Sequence, residues 1–117
     1  MADSHPVLVV ISEDPRASHR ANEAMRIALG VVAGENEVMV VLTGPAVHLL
    51  DEDTDDLVDG DDIAKFRAAL RKLNVPFHIA GPMPSDADWN VEGHAVVPVT
   101  AEAVAELARG AHRYLVF

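Results

Sequence analysis

Two runs of apolar residues, one near each end of the chain, show no alternation of apolar and polar positions. Residues 7–12 read Val-Leu-Val-Val-Ile-Ser, and residues 113–117 read Arg-Tyr-Leu-Val-Phe. Strands with an unbroken apolar sequence are typical of parallel sheets that helices cover on both faces. The pattern therefore predicts that both runs are strands buried on two faces.

Three further apolar runs are the remaining strand candidates. Between the five runs, apolar residues recur at helical spacing, so strands and helices alternate along the chain. This alternation predicts an α/β fold, a three-layer α/β/α sandwich around a five-stranded, mainly parallel sheet. We predict one domain that covers residues 1–117. The three further strands are predicted at residues 37–42, 75–80 and 95–99.

Capping residues set the expected limits of three helices. The first is predicted to begin at Asp14, or one turn later at Ser18, because both side chains can accept a hydrogen bond from the first turn. Gly34 is expected to end it. The second helix covers about residues 62–73, and Thr100 caps the third.

The net charge of −10 comes from 19 acidic and nine basic residues. Eight carboxylates fall within residues 51–62, here called the acidic segment, and we predict that this segment is exposed and mobile. So acidic a surface repels phosphate groups, which excludes nucleic acid and anionic membranes as expected partners. No apolar run reaches the ~18 residues of a membrane span, and no signal peptide is recognisable, so we predict a cytoplasmic protein.

The chain has no cysteine, which excludes disulfides, thiolate metal sites and cysteine nucleophiles. It also lacks a glycine-rich phosphate loop and a nucleophile elbow. Two of its six histidines, His19 and His48, follow predicted strand ends, but no two histidines lie four residues apart on one helix as in a zinc motif. We therefore predict no cofactor and no resident metal, and we assign no catalytic residue.

The acidic segment resembles a calcium-binding loop in part. Aspartates occupy positions 1, 3, 5, 9 and 12, but position 6 is Asp56 where a glycine is needed for the turn, and position 12 is an aspartate instead of the longer glutamate. We therefore expect no tight calcium site. The weak candidate ligands are Asp51, Asp53, Asp55, Asp59 and Asp62.

Ligands of parallel α/β sheets bind beyond the carboxyl ends of the strands. The residues that follow the first three strands carry hydroxyl, carboxylate and flexible backbone groups, and two histidines are expected at the rim. These residues form the predicted ligand-binding pocket. Its members are Ser12, Asp14, His19, Thr43, Gly44, His48, Ala80, Gly81 and Met83.

Four stretches carry a resemblance to a known family. They are residues 7–33, a strand with an Ala-rich helix; 37–44, Glu-Val-Met-Val-Val-Leu-Thr-Gly; 70–80, which ends in Asn-Val-Pro-Phe-His-Ile-Ala; and 96–117, which closes on Tyr-Leu-Val-Phe. In order and spacing they resemble the DsrE/DsrF-like family, small proteins of sulfur relay. The resemblance implies a five-stranded parallel sheet in an α/β/α sandwich. It also implies assembly into trimers, hexamers or hetero-oligomers.

The same resemblance shows that this chain lacks the reactive thiol of the family. Active members of the family carry a sulfur-accepting cysteine just after the strand that matches residues 75–80. Here that place reads His-Ile-Ala-Gly-Pro, so Ala80 or Gly81 stands where the thiol would be. A persulfide needs a thiol, and the family's transferase chemistry therefore does not carry over.

The favoured interpretation is a non-catalytic DsrE/DsrF-like protein, an oligomeric subunit that binds a small ligand or a partner. Its expected partners are other copies of itself, as a trimer or hexamer, or related subunits. One alternative is an enzyme or metal-assisted site that uses the histidines and carboxylates near residues 43–62. Another is a flavodoxin-like binder of a small ligand or nucleotide. The predicted interface residues are Val47, Leu49, Leu50, Met83 and Trp89.

Overall fold

A computed structural model describes residues 6–85, 87–111 and 113–117. Five strands form one sheet in the order β4-β3-β2-β1-β5, and every neighbouring pair is parallel. The predicted fold class is thereby confirmed. The strands are β1 (Val7–Ile11), β2 (Val38–Thr43), β3 (Phe77–Ala80), β4 (Val96–Val99) and β5 (Arg113–Val116); the helices are α1 (Arg20–Ala33), α2 (Gly60–Lys72) and α3 (Ala101–Gly110).

The two faces of the sheet are covered unequally. Odd-numbered β1 residues and even-numbered β2 residues pack with α1 and α2 in the larger core cluster. On the other face α3 alone covers the centre, where Leu8, Val10 and Val41 form a small cluster beneath Val104 and Leu107. The second face is therefore open on both sides of α3.

Strands β4 and β5 are the edges of the sheet. Pro98 lies in β4, where an edge position tolerates the missing backbone N–H. The prediction that residues 113–117 are buried on two faces is wrong, because Tyr114 and Val116 are each 51% exposed. Strand β5 pairs only with β1, which is buried along its whole length as predicted.

Helix α1 begins at Arg20, later than either predicted cap. The Asp14 carboxylate accepts hydrogen bonds from the Arg16 backbone N–H and guanidinium, and Pro15 is buried in a turn. The Ser18 hydroxyl accepts from the Arg20 N–H, so it holds the turn that leads into the helix. The side chains chosen as caps thus bind the chain just before the helix.

Gly34 ends α1 as predicted, but the left-handed residue is its neighbour. Glu35 has φ 64°, and the N–H groups of Glu35 and Asn36 donate to the carbonyls of Val32 and Val31. This is the Schellman arrangement of a helix C-terminus. Asn74, at φ 59°, closes α2 in the same way.

The acidic segment is more structured than a single exposed loop. Gly60 to Asp62 form the first turn of α2, which therefore begins two residues earlier than predicted. Leu57 is buried in the core, and the Val58 N–H donates to the Pro15 carbonyl. The acidic segment therefore packs against the protein through its apolar residues. The mobility of its other residues stays a prediction.

The remaining limits lie close to their predictions. Strands β2 and β4 match within one residue, and β3 begins at Phe77 because the two residues before it complete the end of α2 and supply a proline. The Thr100 hydroxyl accepts from the Ala103 N–H, so the predicted cap of α3 is confirmed. Among the described residues, no helix is long and apolar enough to span a membrane.

Candidate functional site

An open cleft lies on the α3 side of the sheet, at the carboxyl ends of its strands. Its volume is about 610 Å³. Thr43 and Ala80, from neighbouring strands β2 and β3, lie side by side in the sheet register and form part of its wall. Gly81 follows directly, with φ 129°, a conformation that disfavours a larger residue. The other lining residues are Val10, Val99, Thr100, Ala101, Val104 and Tyr114.

The cleft has little chemistry of its own. Its polar side chains are the hydroxyls of Thr43, Thr100 and Tyr114, and the Thr100 hydroxyl already accepts the capping hydrogen bond of α3. No histidine, carboxylate or basic side chain belongs to the described lining. The arrangement offers hydrogen bonds and apolar contact to a ligand, and of its described lining residues only Tyr114 has a side chain of a type used in general acid or base catalysis.

Only Thr43, Ala80 and Gly81 of the nine predicted pocket residues line this cleft. The others are separated because consecutive residues of a strand point to opposite faces, and the chain after β2 turns toward α1 and α2. The 3₁₀ turn Gly44–Leu50 buries four of its side chains in the larger cluster. Gly44, with φ 54°, makes this turn possible and is exposed, as is Met83.

Ser12 and His19 have other partners. The Ser12 hydroxyl donates to the Phe117 carbonyl, so it ties β1 to the residue after β5. The His19 imidazole lies 3.4 Å from the Glu23 carboxylate on the exposed side of α1. Neither side chain contributes to the cleft.

His48 pairs instead with Asp51 of the acidic segment, and Asp14 lies close enough to interact with its charge. His48 Nδ1 lies 2.9 Å from Asp51 Oδ2 in a half-buried pair. The hydrogen bond from Arg16 is the main cause that holds the pKa of Asp14 below its ordinary value, and the nearby His48 acts in the same direction. The structure thus divides the predicted pocket into a cleft on one face and a charged group on the other.

The aspartates considered as calcium ligands do not converge. Within the described residues, no three histidine, aspartate or glutamate side chains are grouped so that they could hold a metal ion. The Asp53 carboxylate accepts from the Asp55 N–H, and Asp51 pairs with His48. Asp59 is the left-handed residue, at φ 58°, that precedes α2.

A buried polar network joins α2 to the connection between β3 and β4. Arg67, only 2% exposed, donates to the carbonyls of Leu49 and Asp51 and to the Glu92 carboxylate. Glu92 Oε1 also lies 2.8 Å from Nε2 of the buried His94. The network was not predicted from the sequence.

Two neighbouring contacts extend this network. The Asn90 side chain binds both the N–H and the carbonyl of His94, which fixes the turn that carries Glu92. The Trp89 indole N–H donates to the Val47 carbonyl over 2.8 Å. These contacts hold the 87–95 connection against the 3₁₀ turn after β2.

The pKa of Glu92 predicts a pH dependence of stability. The hydrogen bond with His94 is the main cause that lowers this pKa from its ordinary 4.5, and the nearby Arg67 adds to it. A carboxylate with a lowered folded-state pKa stabilises the fold above pH 4.5, and this stabilisation is lost as the pH falls through the lower value. We expect Glu92→Gln to destabilise the protein at pH 7 and progressively less towards pH 3, as measured by urea unfolding.

Glu35→Gln, at an exposed helix end, is the matched control for this series. Its free energy of unfolding should stay parallel to that of the natural protein across the same range. If Glu92→Gln followed the same parallel course, the Glu92 pair would have no role in acid stability.

The predicted interface is wrong in three of its five residues. Val47, Leu49 and Leu50 are buried within the larger core cluster, so they cannot contact another chain. Trp89 is partly buried and packs on the same cluster, whereas Met83 is 37% exposed. A high apolar fraction suggested that apolar residues would remain on the surface, but the turn packs its apolar side chains into the core.

The polar cleft residues that are absent from the predicted pocket are Thr100 and Tyr114; the apolar ones are Val10, Val99, Ala101 and Val104. Thr100 is predicted both at a strand end where a ligand could bind and as the cap of α3, but it is not one of the nine predicted pocket residues. Tyr114 was assigned to a strand buried on both faces, and the edge position of β5 is what exposes it. The position of Thr100 at the carboxyl end of the fourth predicted strand was the available signal for its place in the cleft.

The geometry defines a class of protein. It is an α/β/α protein with a cleft at the carboxyl edge of a five-stranded parallel sheet. The chain matches the DsrE/DsrF-like family over residues 5–117, and it belongs to that family. It is thus related to the proteins of sulfur relay, and the predicted resemblance is confirmed.

The fold has a counterpart among solved structures. The crystal structure of the YchN protein from E. coli is 17% identical in sequence, with a TM-score of 0.71. The match covers 97% of this chain and 99% of that chain. At this identity the similarity establishes the fold alone. No curated protein matches the chain by sequence.

Proposed function

We propose that this protein is a non-catalytic DsrE/DsrF-like subunit that binds a small ligand in the strand-end cleft, in the cytoplasm. The observation that carries the proposal is the lining of the cleft. Ala80 occupies the strand end that corresponds to the sulfur-accepting position, and the surrounding polar groups are three hydroxyls. The fitting ligand is small and uncharged, with an apolar body and one hydrogen-bonding group.

The two alternative functions have less support. The His48–Asp51 pair is an acid–base arrangement, but neither residue lines the cleft or any other described cavity, so a substrate has no place beside it. A nucleotide is disfavoured because no lysine or arginine belongs to the described lining of the cleft. Binding of an uncharged ligand needs neither an acid–base pair nor a basic side chain in the cleft.

Sulfur uptake tests the proposal directly. We expect no mass gain when the natural protein is incubated with thiosulfate and examined by intact-protein mass spectrometry. Ala80→Cys should gain one sulfur atom, because its thiolate can attack the outer sulfur of thiosulfate, form a persulfide and release sulfite. This variant places the thiol in the cleft, beside Thr43.

Ala105→Cys is the matched control, since Ala105 is exposed on α3 and does not line the cleft. It should remain unmodified, or gain sulfur much more slowly than Ala80→Cys. A stable mass gain in the natural protein would refute the non-catalytic role. Equal gains in both variants would remove the correspondence between Ala80 and the family's sulfur site.

The proposal includes self-association, as a trimer or hexamer, or with related subunits. Its support is apolar surface on the α3 side of the sheet, where one helix covers only the centre. Val97 in β4 is 39% exposed, and Tyr114 and Val116 in β5 are each 51% exposed. Exposed apolar residues at both edges of one face are a surface that a second chain can cover.

Multi-angle light scattering tests this part of the proposal. We expect a mass of three or six chains at micromolar concentration, against 12.5 kDa for one chain. Val116→Lys should shift the protein toward the monomer, because it places a charge in the apolar surface. A single-chain mass for the natural protein across this concentration range would refute self-association.

A further inference from the structure

Helix α2 has opposite charges at its two ends. Its carboxyl half borders an open groove of about 750 Å³, here called the basic groove. The groove contains both lysines of the chain, Lys65 and Lys72, together with Arg71, although the whole protein carries a net charge of −10. Ala68 and Ala69 form a floor of small residues between these cations.

The amino end of α2 borders an acidic depression of about 360 Å³. Its lining includes Asp55, Asp59, Asp61 and Asp62, all of them exposed. The side chains of these four aspartates and the three cations of the basic groove form no ion pair within the described residues. The Asp59 carboxylate accepts a hydrogen bond from the Asn22 amide.

We propose that the basic groove of one chain binds the acidic depression of a second copy. The two surfaces are complementary in charge, and both are open to solvent. They follow one another along a helix of 13 residues, with Asp61 and Asp62 in its first turn and Lys65 one turn later, so one chain offers both halves of the contact at once. Such a contact is head-to-tail, and it closes into a ring when the rotation between copies allows.

A second copy fits the groove better than a small anion does. Glu92 lies at the edge of the groove, where its carboxylate is paired with Arg67 and His94. Arg67, the buried arginine beneath it, is occupied by two carbonyls and by Glu92. The cations that remain are exposed and spread along one helix face, an arrangement that suits an extended row of carboxylates.

The net charge of −10 opposes association only at long range. At physiological salt, charges separated by more than about 8 Å are largely screened, whereas charges in contact are screened much less. Local complementarity therefore decides the pairing and excludes arrangements that bring like charges together. This inference rests on the proposed self-association, to which it adds the contacting surfaces.

Charge reversal tests the contact. Lys65→Glu/Lys72→Glu makes the groove acidic, and Asp55→Lys/Asp61→Lys removes the net negative charge of the depression, because only Asp59 and Asp62 then oppose the two new lysines. We expect each double variant alone to self-associate at least about tenfold more weakly than the natural protein in sedimentation velocity. Mixed in equal amounts, the two variants should form complexes that contain both chains, because the unaltered depression of the first variant meets the unaltered groove of the second.

Two control variants carry the same changes in net charge at other exposed positions. They are Arg26→Glu/Arg109→Glu and Glu35→Lys/Glu37→Lys. We expect the controls to associate like the natural protein. Circular dichroism of all four variants verifies that each one is folded.

Three outcomes contradict the inference. If the charge-reversed variants associate as well as their controls, the charged surfaces do not contribute to association. The apolar surface on the α3 side would then be the remaining candidate for the contact. If the mixture fails to restore association, the two surfaces do not meet. If inorganic phosphate binds the natural protein at micromolar concentration and Lys65→Glu/Lys72→Glu abolishes binding without weakening association, the groove is an anion site. A monomeric natural protein would refute the proposed self-association itself.

Discussion

Replacing Arg67 by alanine should lower the free energy of unfolding by about 3–5 kcal/mol. The guanidinium donates to the carbonyls of Leu49 and Asp51 at 3.0 and 2.7 Å, and both acceptors lose their donor in the variant. The truncated side chain also leaves a cavity beside the core. Urea unfolding, followed by the fluorescence of Trp89, the single tryptophan, gives the free energy directly.

Arg71→Ala is the matched control, because Arg71 is exposed one turn further along the same helix. Its effect should remain within about 0.5 kcal/mol. Arg67→Lys should fall between the two, since an ammonium can reach a carbonyl but lacks the planar fork of the guanidinium. Equal losses for Arg67→Ala and Arg71→Ala would show that the buried network contributes nothing to stability.

The importance of Arg67 could be inferred only in part from the sequence. Its spacing from Ile63 and Leu70 places it on the apolar stripe of α2, and an arginine on such a stripe is a candidate for burial. Its acceptors lie 16 and 18 residues earlier, in a turn whose path the pattern does not reveal. The sequence therefore indicates that Arg67 is a candidate for burial, but it does not reveal the carbonyl groups that Arg67 binds.

The fold could be predicted because its local patterns agree with one another. Continuous apolar runs identify buried parallel strands, and helical stripes between them identify the crossovers. The order of the strands does not follow from these patterns. Strand β5 has the composition of a central strand, yet it lies at an edge because α3 carries the chain across the sheet to β1.

The candidate site shows a related limit. The sequence identifies residues that follow strand ends, but it does not assign each of them to one face of the sheet. Thr43 and Ala80 point to the α3 side, whereas His48 lies within the turn that packs under α1 and α2. A residue at a strand end must lie at the carboxyl edge of the sheet. The face that its side chain points to changes when its position along the strand shifts by one residue.

Gly60 is the position where the usual effect of alanine in a helix should be reversed. A Cβ atom added there would lie 1.9 Å from the carbonyl oxygen of Thr54 and 2.9 Å from its carbonyl carbon. Both are backbone atoms, so no side-chain rotation relieves the contact, and the 3₁₀ turn Thr54–Asp56 must move away from α2. We expect Gly60→Ala to destabilise the protein by about 1–3 kcal/mol in urea unfolding.

Gly30→Ala supplies the opposite result from the same substitution. Gly30 lies inside α1, and an added Cβ meets no atom within 4 Å, so alanine should stabilise the protein by about 0.5–1 kcal/mol. Adding Thr54→Ala should leave the cost of Gly60→Ala unchanged, because the clash is with backbone. If Gly60→Ala stabilised the protein as Gly30→Ala does, the packing of the acidic segment against α2 would be looser than these contacts require, and the acidic depression between them would lose its defined shape.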